Sequence, residues 1–234
     1  MKPCFDQSSK YSQHRNWVQA IILRTDDYPL EELIGVLDKN EHARYQAFVN
    51  PLHKKDFALA HILKRRVLSG YLQLEESTPL HFGKTSMGKP YLHKHPIHFN
   101  LSHSRGIVAL VFSNSLICGV DVEAHRKQHF STNLLKVSMT AAEQQAIQGA
   151  KNPIAEFYDR WVTKEALIKA QGVGLRQPLD TLCTIKQHYP TMREDLLISQ
   201  EQLWQLSAPD YSLAICALGP KPEFFVEYPA VLYS

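Results

Sequence analysis

Two acidic motifs about forty residues apart carry the chemistry in this chain: Gly119-Val120-Asp121-Val122-Glu123 and Trp161-Val162-Thr163-Lys164-Glu165-Ala166-Leu167-Ile168-Lys169. The first closes an apolar run from Leu116, which predicts a strand. Asp121 and Glu123 then share one face of it. The second has helical spacing, with Trp161, Glu165 and Lys169 at i, i+4 and i+8 along one side. A hard divalent cation takes oxygen ligands, commonly a few carboxylates completed by water and phosphate oxygens. Three carboxylates and an ammonium from two elements therefore suit Mg²⁺ held against a pyrophosphate. Asp121, Glu123 and Glu165 would be the metal ligands and Lys169 would hold the phosphates. Each motif alone has a plainer reading. An Asp-x-Glu at a strand end is ordinarily solvated, and Phe157, Trp161 and Ile168 make a core stripe for an amphipathic helix.

Composition narrows the field. Of 234 residues, 44% are hydrophobic and 21% charged, ordinary values for one large domain or two small ones. The net charge of +3 is mild and far from the dense Lys/Arg stripe of a nucleic-acid binder, so no nucleic acid is expected as partner. No run approaches a membrane span and no apolar signal core stands near the N-terminus, which predicts a cytoplasmic protein. Cys4, Cys118, Cys183 and Cys216 are far apart and lack CxxC or CxxH spacing, so they read as buried thiols. His93, His95, His98 and His103 contain one His-x-His pair, but Pro96 interrupts them and no cysteine or close carboxylate completes a zinc set. The chain has neither a Walker loop nor a Gly-x-Ser-x-Gly elbow around Ser102.

The elements that must position these residues can be read from periodicity. Trp17 to Leu23 predicts a first strand. Leu30 to Leu37 and Glu41 to Val49 predict helices. Pro51 can open a longer helix over about 54–72, with Phe57, Ala60, Leu63, Val67 and Leu68 inward and Lys64, Arg65 and Arg66 outward. Leu80 to Phe82 suggests a short strand and Lys84 to Pro96 a loop. Ile107 to Phe112 predicts a strand, Ser113-Asn114-Ser115 a turn, and Leu116 to Glu123 the returning arm of a hairpin. A polar, irregular stretch follows from Ala124 to Asn133. Thr140-Ala141-Ala142-Glu143 is a capping-box pattern opening a helix to Gly149. Ile154 to Gln171 is the key helix, stopped by Gly172 and Gly174. Leu182 to Ile185, Leu203 to Leu206 and Tyr211 to Leu218 predict later strands, and Phe224 to Tyr228 a packed terminal one. The order predicts an α+β fold of two similar halves with a boundary between residues 113 and 124.

The two acidic motifs, the run Phe157 to Lys169, and the upstream Gly88-Lys89-Pro90 and Phe99-Asn100-Leu101-Ser102-His103-Ser104 together resemble the 4′-phosphopantetheinyl transferases of the surfactin-synthetase-activating type. Gly172-Val173-Gly174-Leu175 is similar to the glycine turn after that family's helix. The resemblance spans about residues 41–185, with the motifs in the family's order.

The resemblance implies transfer of the phosphopantetheine arm of coenzyme A to a serine of an apo-acyl or peptidyl carrier protein. The products would be holo-carrier protein and adenosine 3′,5′-bisphosphate. It implies two α+β subdomains related by a pseudo-twofold, with the site between them: 1–118 contacting coenzyme A and 119–234 bearing the metal carboxylates. Position by position, Asp121, Glu123 and Glu165 resemble the ligands of Mg²⁺, with Mn²⁺ as the alternative ion. Glu165 also resembles the base for the carrier serine. Lys169 resembles the pyrophosphate contact, Ser102 and His103 the contacts to the 3′-phosphate of coenzyme A, Lys89 another phosphate contact, and Arg44 a nucleotide contact. One of His61, Lys64 and Arg65 would supply a further basic contact. The segment from Ala124 to Thr140 would face an acidic carrier protein, and a monomer is expected. Two other readings stand beside this one: a different Mg²⁺-dependent phosphoester or pyrophosphate enzyme, and a member that binds carrier proteins without catalysis.

Overall fold

The structure is a computed structural model that describes residues 15–29, 34–75, 78–174, 177–185 and 202–228. In chain order the strands and helices are β1 (Trp17–Arg24), α1 (Lys39–Ala47), α2 (Pro51–Tyr71), β2 (Phe82–Lys84), β3 (Pro90–Leu92), β4 (His98–Ser104), β5 (Ile107–Ser113), β6 (Ile117–Ala124), α3 (Thr132–Ser138), α4 (Ala141–Gly149), α5 (Pro153–Gln171), β7 (Leu203–Gln205), β8 (Tyr211–Leu218) and β9 (Glu223–Glu227). The fold is α+β, as expected.

A four-stranded sheet has the order β4-β5-β1-β9 and a three-stranded sheet the order β6-β8-β7. Alternate residues of β1 and β5 (Val18, Ala20, Ile22, Ala109, Val111) meet Cys118, Val120, Val122, Leu213, Ile215 and Ala217 of the second sheet in one buried cluster. The opposite side of the first sheet packs on Leu59, Leu63 and Val67 of α2. The opposite side of the second packs on Val162, Ala166 and Ala170 of α5. The layers are thus helix, sheet, sheet, helix, with β1, β5 and β8 buried on both faces.

Helix starts follow the sequence signals. Thr140 caps α4 in a capping box with Glu143, and Asp38 caps α1 in the same way with Glu41. Asn50 caps α2, with Pro51 in its first turn. Gly172, at φ 70°, closes α5 in the left-handed region.

Several expectations are corrected. β6 is not the returning arm of a hairpin with β5. Strand β5 already has β4 on one side and β1 on the other, so it has no free edge, and β6 pairs with β8 instead. Ser113 Oγ accepts from the amides of Ser115 and Leu116, which turns the chain out of the first sheet. The hairpin is β4–β5, joined through Arg105 (φ 42°) and Gly106 (φ 89°), a turn that needs two positive φ values. Residues 182–185 form no strand; Leu182 is buried and the Thr184 amide donates to Glu143 Oε1. Ile34–Val36 is a 3-10 turn, and residues 30–33 of the helix expected there lie outside the described residues. The short strand falls at Phe82–Lys84, and the supposed loop 84–96 contains its partner, Pro90–Leu92. The polar stretch after Ala124 contains α3.

The outward basic face of α2 is also corrected. Lys64 and Arg65 are buried, because Glu41 of α1 draws them in. Lys64 Nζ lies 2.7 Å from Glu41 Oε1 and Arg65 Nε 2.6 Å from Oε2. Arg65 also pairs with Asp38. Burial raises the Glu41 carboxyl, but bonds from His61, Arg65 and Lys64 outweigh it and hold the group far below the usual carboxylate range.

Candidate functional site

The edge strands β4 and β6 run side by side where the two sheets meet, and polar side chains of β4 take the place of a backbone ladder. Asn100 Oδ1 accepts from the Val120 amide at 2.9 Å. Ser102 Oγ accepts from the Val122 amide and donates to Asp121 Oδ1 at 2.9 Å. Ser104 Oγ accepts from the Ala124 amide and donates to Glu123 Oε2 at 2.7 Å. Alternation along β4 thus aims a polar comb at β6 and fixes both carboxylates of the Asp-x-Glu.

Helix α5 closes against β6 because residue 119 is glycine. A Cβ there would run into the Ala166 carbonyl and the Ala170 amide. This close approach brings the exposed side of α5 over the strand end. A cleft of about 420 Å³ opens there, lined by Leu101, Ser102 and His103 of β4, Asp121 and Glu123 of β6, and Trp161, Glu165 and Lys169 of α5. Six of the eight expected site residues therefore share one cavity. His103 stands exposed at it, with Asp56, His61 and Lys169 near enough for their charges to act on its ring.

The carboxylates are held under electrostatic tension. Asp121 is 5% exposed; its Oδ1 meets Lys169 Nζ at 2.6 Å, and its Oδ2 is buried without a hydrogen-bond partner. Burial pushes the Glu165 carboxyl up, and the Asp121 charge adds to this. Burial likewise pushes Glu123 up, with the Asp121 charge in the same direction and the Ser104 bond opposing. No three His, Cys, Asp or Glu side chains among the described residues are gathered into a closed metal set. The donor chemistry nonetheless fits a hard cation in an open site: an orphaned buried carboxylate oxygen, two more carboxyls disfavoured as anions by burial and by the Asp121 charge, and room for water and substrate oxygens.

The remaining expected residues lie elsewhere. Arg44 sits exposed on the last turn of α1, its guanidinium 5.1 Å from the Phe57 ring centroid, and does not line the cleft. Lys89, expected on a phosphate, instead donates to three carbonyls: Cys118 at 2.9 Å, Lys169 at 2.7 Å and Ala170 at 3.0 Å. Lys164, adjacent to Glu165, points away from the cleft. It is fully buried, 2.7 Å from Glu143 Oε2, and donates to the carbonyls of Ser138 and Leu179.

Sequence reasoning missed Asn100 and Ser104 as members of the comb. Their signal was present: polar residues at 100, 102 and 104 recur at the strand period, with Phe99 and Leu101 between them on the other face. The Glu143–Lys164 pair left no such signal, because the partners are 21 residues apart on different helices. Cys118 and Cys216 are buried, and burial pushes both thiols up to about 12, so they stay protonated and inert.

Residues 117–216, which contain β6, α5 and both acidic motifs, match the 4′-phosphopantetheinyl transferase superfamily. Over 204 residues the chain is 30% identical to 4′-phosphopantetheinyl transferase ffp of Bacillus subtilis, covering 77% of this chain and 84% of that one. It is 28% identical over 200 residues to 4′-phosphopantetheinyl transferase Sfp of Bacillus subtilis (strain 168), covering 79% and 88%. With 4′-phosphopantetheinyl transferase HetI of Nostoc sp. it shares 26% identity over 208 residues, covering 84% and 85%.

Proposed function

Because this chain belongs to the 4′-phosphopantetheinyl transferase superfamily, we propose that the cleft between β4, β6 and α5 is where it performs that family's transfer. The chain moves the 4′-phosphopantetheine arm of coenzyme A to a carrier protein. The observation that carries the site assignment is the convergence of Asp121, Glu123, Glu165 and Lys169 on one cavity.

In this reading Asp121, Glu123 and Glu165 hold Mg²⁺, or Mn²⁺ in its place. An ion held there would supply positive charge that offsets the charge of the pyrophosphate of coenzyme A. The buried Asp121 Oδ2 supports its part in that set. The carrier serine oxygen bonds to the phosphorus that bears pantetheine. The bond from that phosphorus to the bridging oxygen breaks, and adenosine 3′,5′-bisphosphate leaves. The serine proton passes to the Glu165 carboxylate, acting as general base. Lys169, reaching across from α5 to Asp121, offsets the charge that grows on the leaving phosphate. Ser102 orients Asp121 while His103, at the exposed side, takes the 3′-phosphate. Arg44 reaches the nucleotide from outside the cleft. All three basic candidates on α2 bond to Glu41, His61 and Lys64 at Oε1 and Arg65 at Oε2, so none of them is set apart as the further nucleotide contact.

The same reading takes 1–118 as the half that grips coenzyme A and 119–234 as the half that carries the metal ligands. The crossing of the chain from one sheet to the other between β5 and β6 supports this. It also takes the protein to act as a monomer in the cytoplasm, on acidic carrier proteins that dock near Ala124 to Thr140. Among the described residues no helix is long and apolar enough to cross a membrane.

Intact-protein mass spectrometry of an apo-acyl carrier protein incubated with this chain, coenzyme A and Mg²⁺, beside an EDTA control, tests the proposal. A gain of one phosphopantetheine that EDTA abolishes is expected. No gain with acyl or peptidyl carriers, together with no coenzyme A binding by calorimetry, would overturn it.

A further inference from the structure

The loop between β2 and β3 reaches α5 and β6 through Lys89. It is a tight turn: the Thr85 amide donates to the Lys89 carbonyl, the Gly88 amide to the Thr85 carbonyl, and the Lys89 amide to Thr85 Oγ1. Gly88, at φ 85°, makes the reversal possible. The turn presents the Lys89 side chain to the C-terminal end of α5, where its Nζ meets the carbonyls of Lys169 and Ala170, and to β6, where it meets the carbonyl of Cys118.

An ammonium has three N–H donors and no acceptor. Three carbonyls at 2.7–3.0 Å saturate it. The two helix carbonyls belong to the last turn of α5, where no intrahelical donor is available to them. A cation at a helix C-terminus is also favoured by the dipole. The Lys89 stem lies within 3.5 Å of where a Cβ of Gly172 would stand, so side chain and helix cap pack together. Lys89 therefore bridges two elements, each carrying a reacting-site group a short distance away. Lys169 belongs to the very residue whose carbonyl is held. Asp121 is three residues along β6 from Cys118.

We propose that Lys89 is a positioning residue, not a phosphate ligand: it ties the β2–β3 turn to the end of α5 and the start of β6, and so sets where the Lys169 ammonium stands relative to Asp121. The assignment rests on the transfer reaction proposed above and departs from the phosphate contact that the sequence resemblance implies.

The test is steady-state transfer by the full chain carrying Lys89→Met, with coenzyme A and with 3′-dephospho-coenzyme A as donors. A positioning role predicts a kcat loss of about tenfold or more, a KM for coenzyme A within about twofold of the parent, and unchanged selectivity between the two donors. In a Lys169→Ala background the same change should add less than about twofold, because two residues acting through one group are not additive. A phosphate contact predicts the reverse: a raised KM, or selectivity for the 3′-phosphate that collapses. Either result overturns the proposal, as does parental kinetics in the variant. If Lys89→Met fails to fold, Lys89→Gln, which keeps two N–H donors, carries the same comparison. A parent chain that transfers nothing sinks the functional reading and this one together. A parent that transfers while Lys89→Met matches it sinks only this one.

Discussion

The two sides of α5 treat buried charge in opposite ways. Behind the helix, Lys164 and Glu143 are fully buried and fully engaged: the ammonium has a carboxylate and two carbonyls, and Glu143 also accepts from Thr140 and Thr184. Burial raises the Glu143 carboxyl, but those bonds outweigh it and hold the group below the usual range. In front, Asp121 keeps an orphaned oxygen, and Glu123 and Glu165 are pushed up. Lys164 and Glu165 are neighbours in sequence, so composition cannot separate them. What separates them is satisfaction. Charge that the protein itself completes is architecture, while charge left incomplete in a cleft is a site waiting for substrate or ion.

The largest effect should come from breaking the rear pair. Lys164→Met leaves Glu143 buried without its cation and should cost about 3–5 kcal/mol of stability. Urea unfolding measures it, and a loss near zero would mean that water reaches the rear of the helix. In front, Asp121→Ala should leave the unfolding midpoint nearly unchanged while lowering transfer by about 100-fold or more, as expected for removal of a preorganised electrostatic group. A variant that transfers normally would remove Asp121 from the reacting centre and erase the contrast.

A smaller effect sharpens the comparison within the comb. Ser104→Ala deletes the bond to Glu123 Oε2 and should lower kcat roughly tenfold, about 1.4 kcal/mol. Parental kcat would show that Glu123 is oriented without it.

The smallest is a pH dependence of opposite sign on the two sides, read by thermal unfolding of metal-free protein. Glu143 has a depressed folded pKa, so its stabilisation is present above the unfolded value of about 4.5 and is lost as pH falls below it. Glu165 has a raised folded pKa, so the folded state binds its proton more tightly. Stability then declines as pH rises from about 4.5 through the folded value. Glu165→Gln should make the second arm shallower, leaving the part that the raised Glu123 contributes, and should not change the first. An unchanged profile in that variant would assign the arm to other groups.

Much of this was legible in the residues. The strand and helix periods around Asp121, Glu123, Glu165 and Lys169 placed all four correctly on their elements, and the caps at Asn50, Thr140 and Gly172 followed local rules that need no tertiary partner. Pairing was less legible. The turn at Ser113 looks like a hairpin connector, yet whether β6 returns to β5 depends on whether β5 has a free edge, and β1, nearly ninety residues earlier, had already taken it. Basic side chains were less legible for a related reason. In sequence Lys64 reads as outward on α2 and Lys89 as a phosphate contact, while Lys164 carries no role of its own. Each proved to be drawn inward by acceptors distant in the chain: Glu41, three backbone carbonyls, and Glu143.

The sequence by itself determined which residues could do the chemistry and on which element each would sit, because helix and strand periodicities and end-capping are local. Only the tertiary structure decided which charges face one another, which lysines are occupied, and that a polar comb on β4 orients the carboxylates of β6. Those outcomes depend on the distance and desolvation of groups far apart in the chain, and these are fixed only when the two sheets and α5 pack together.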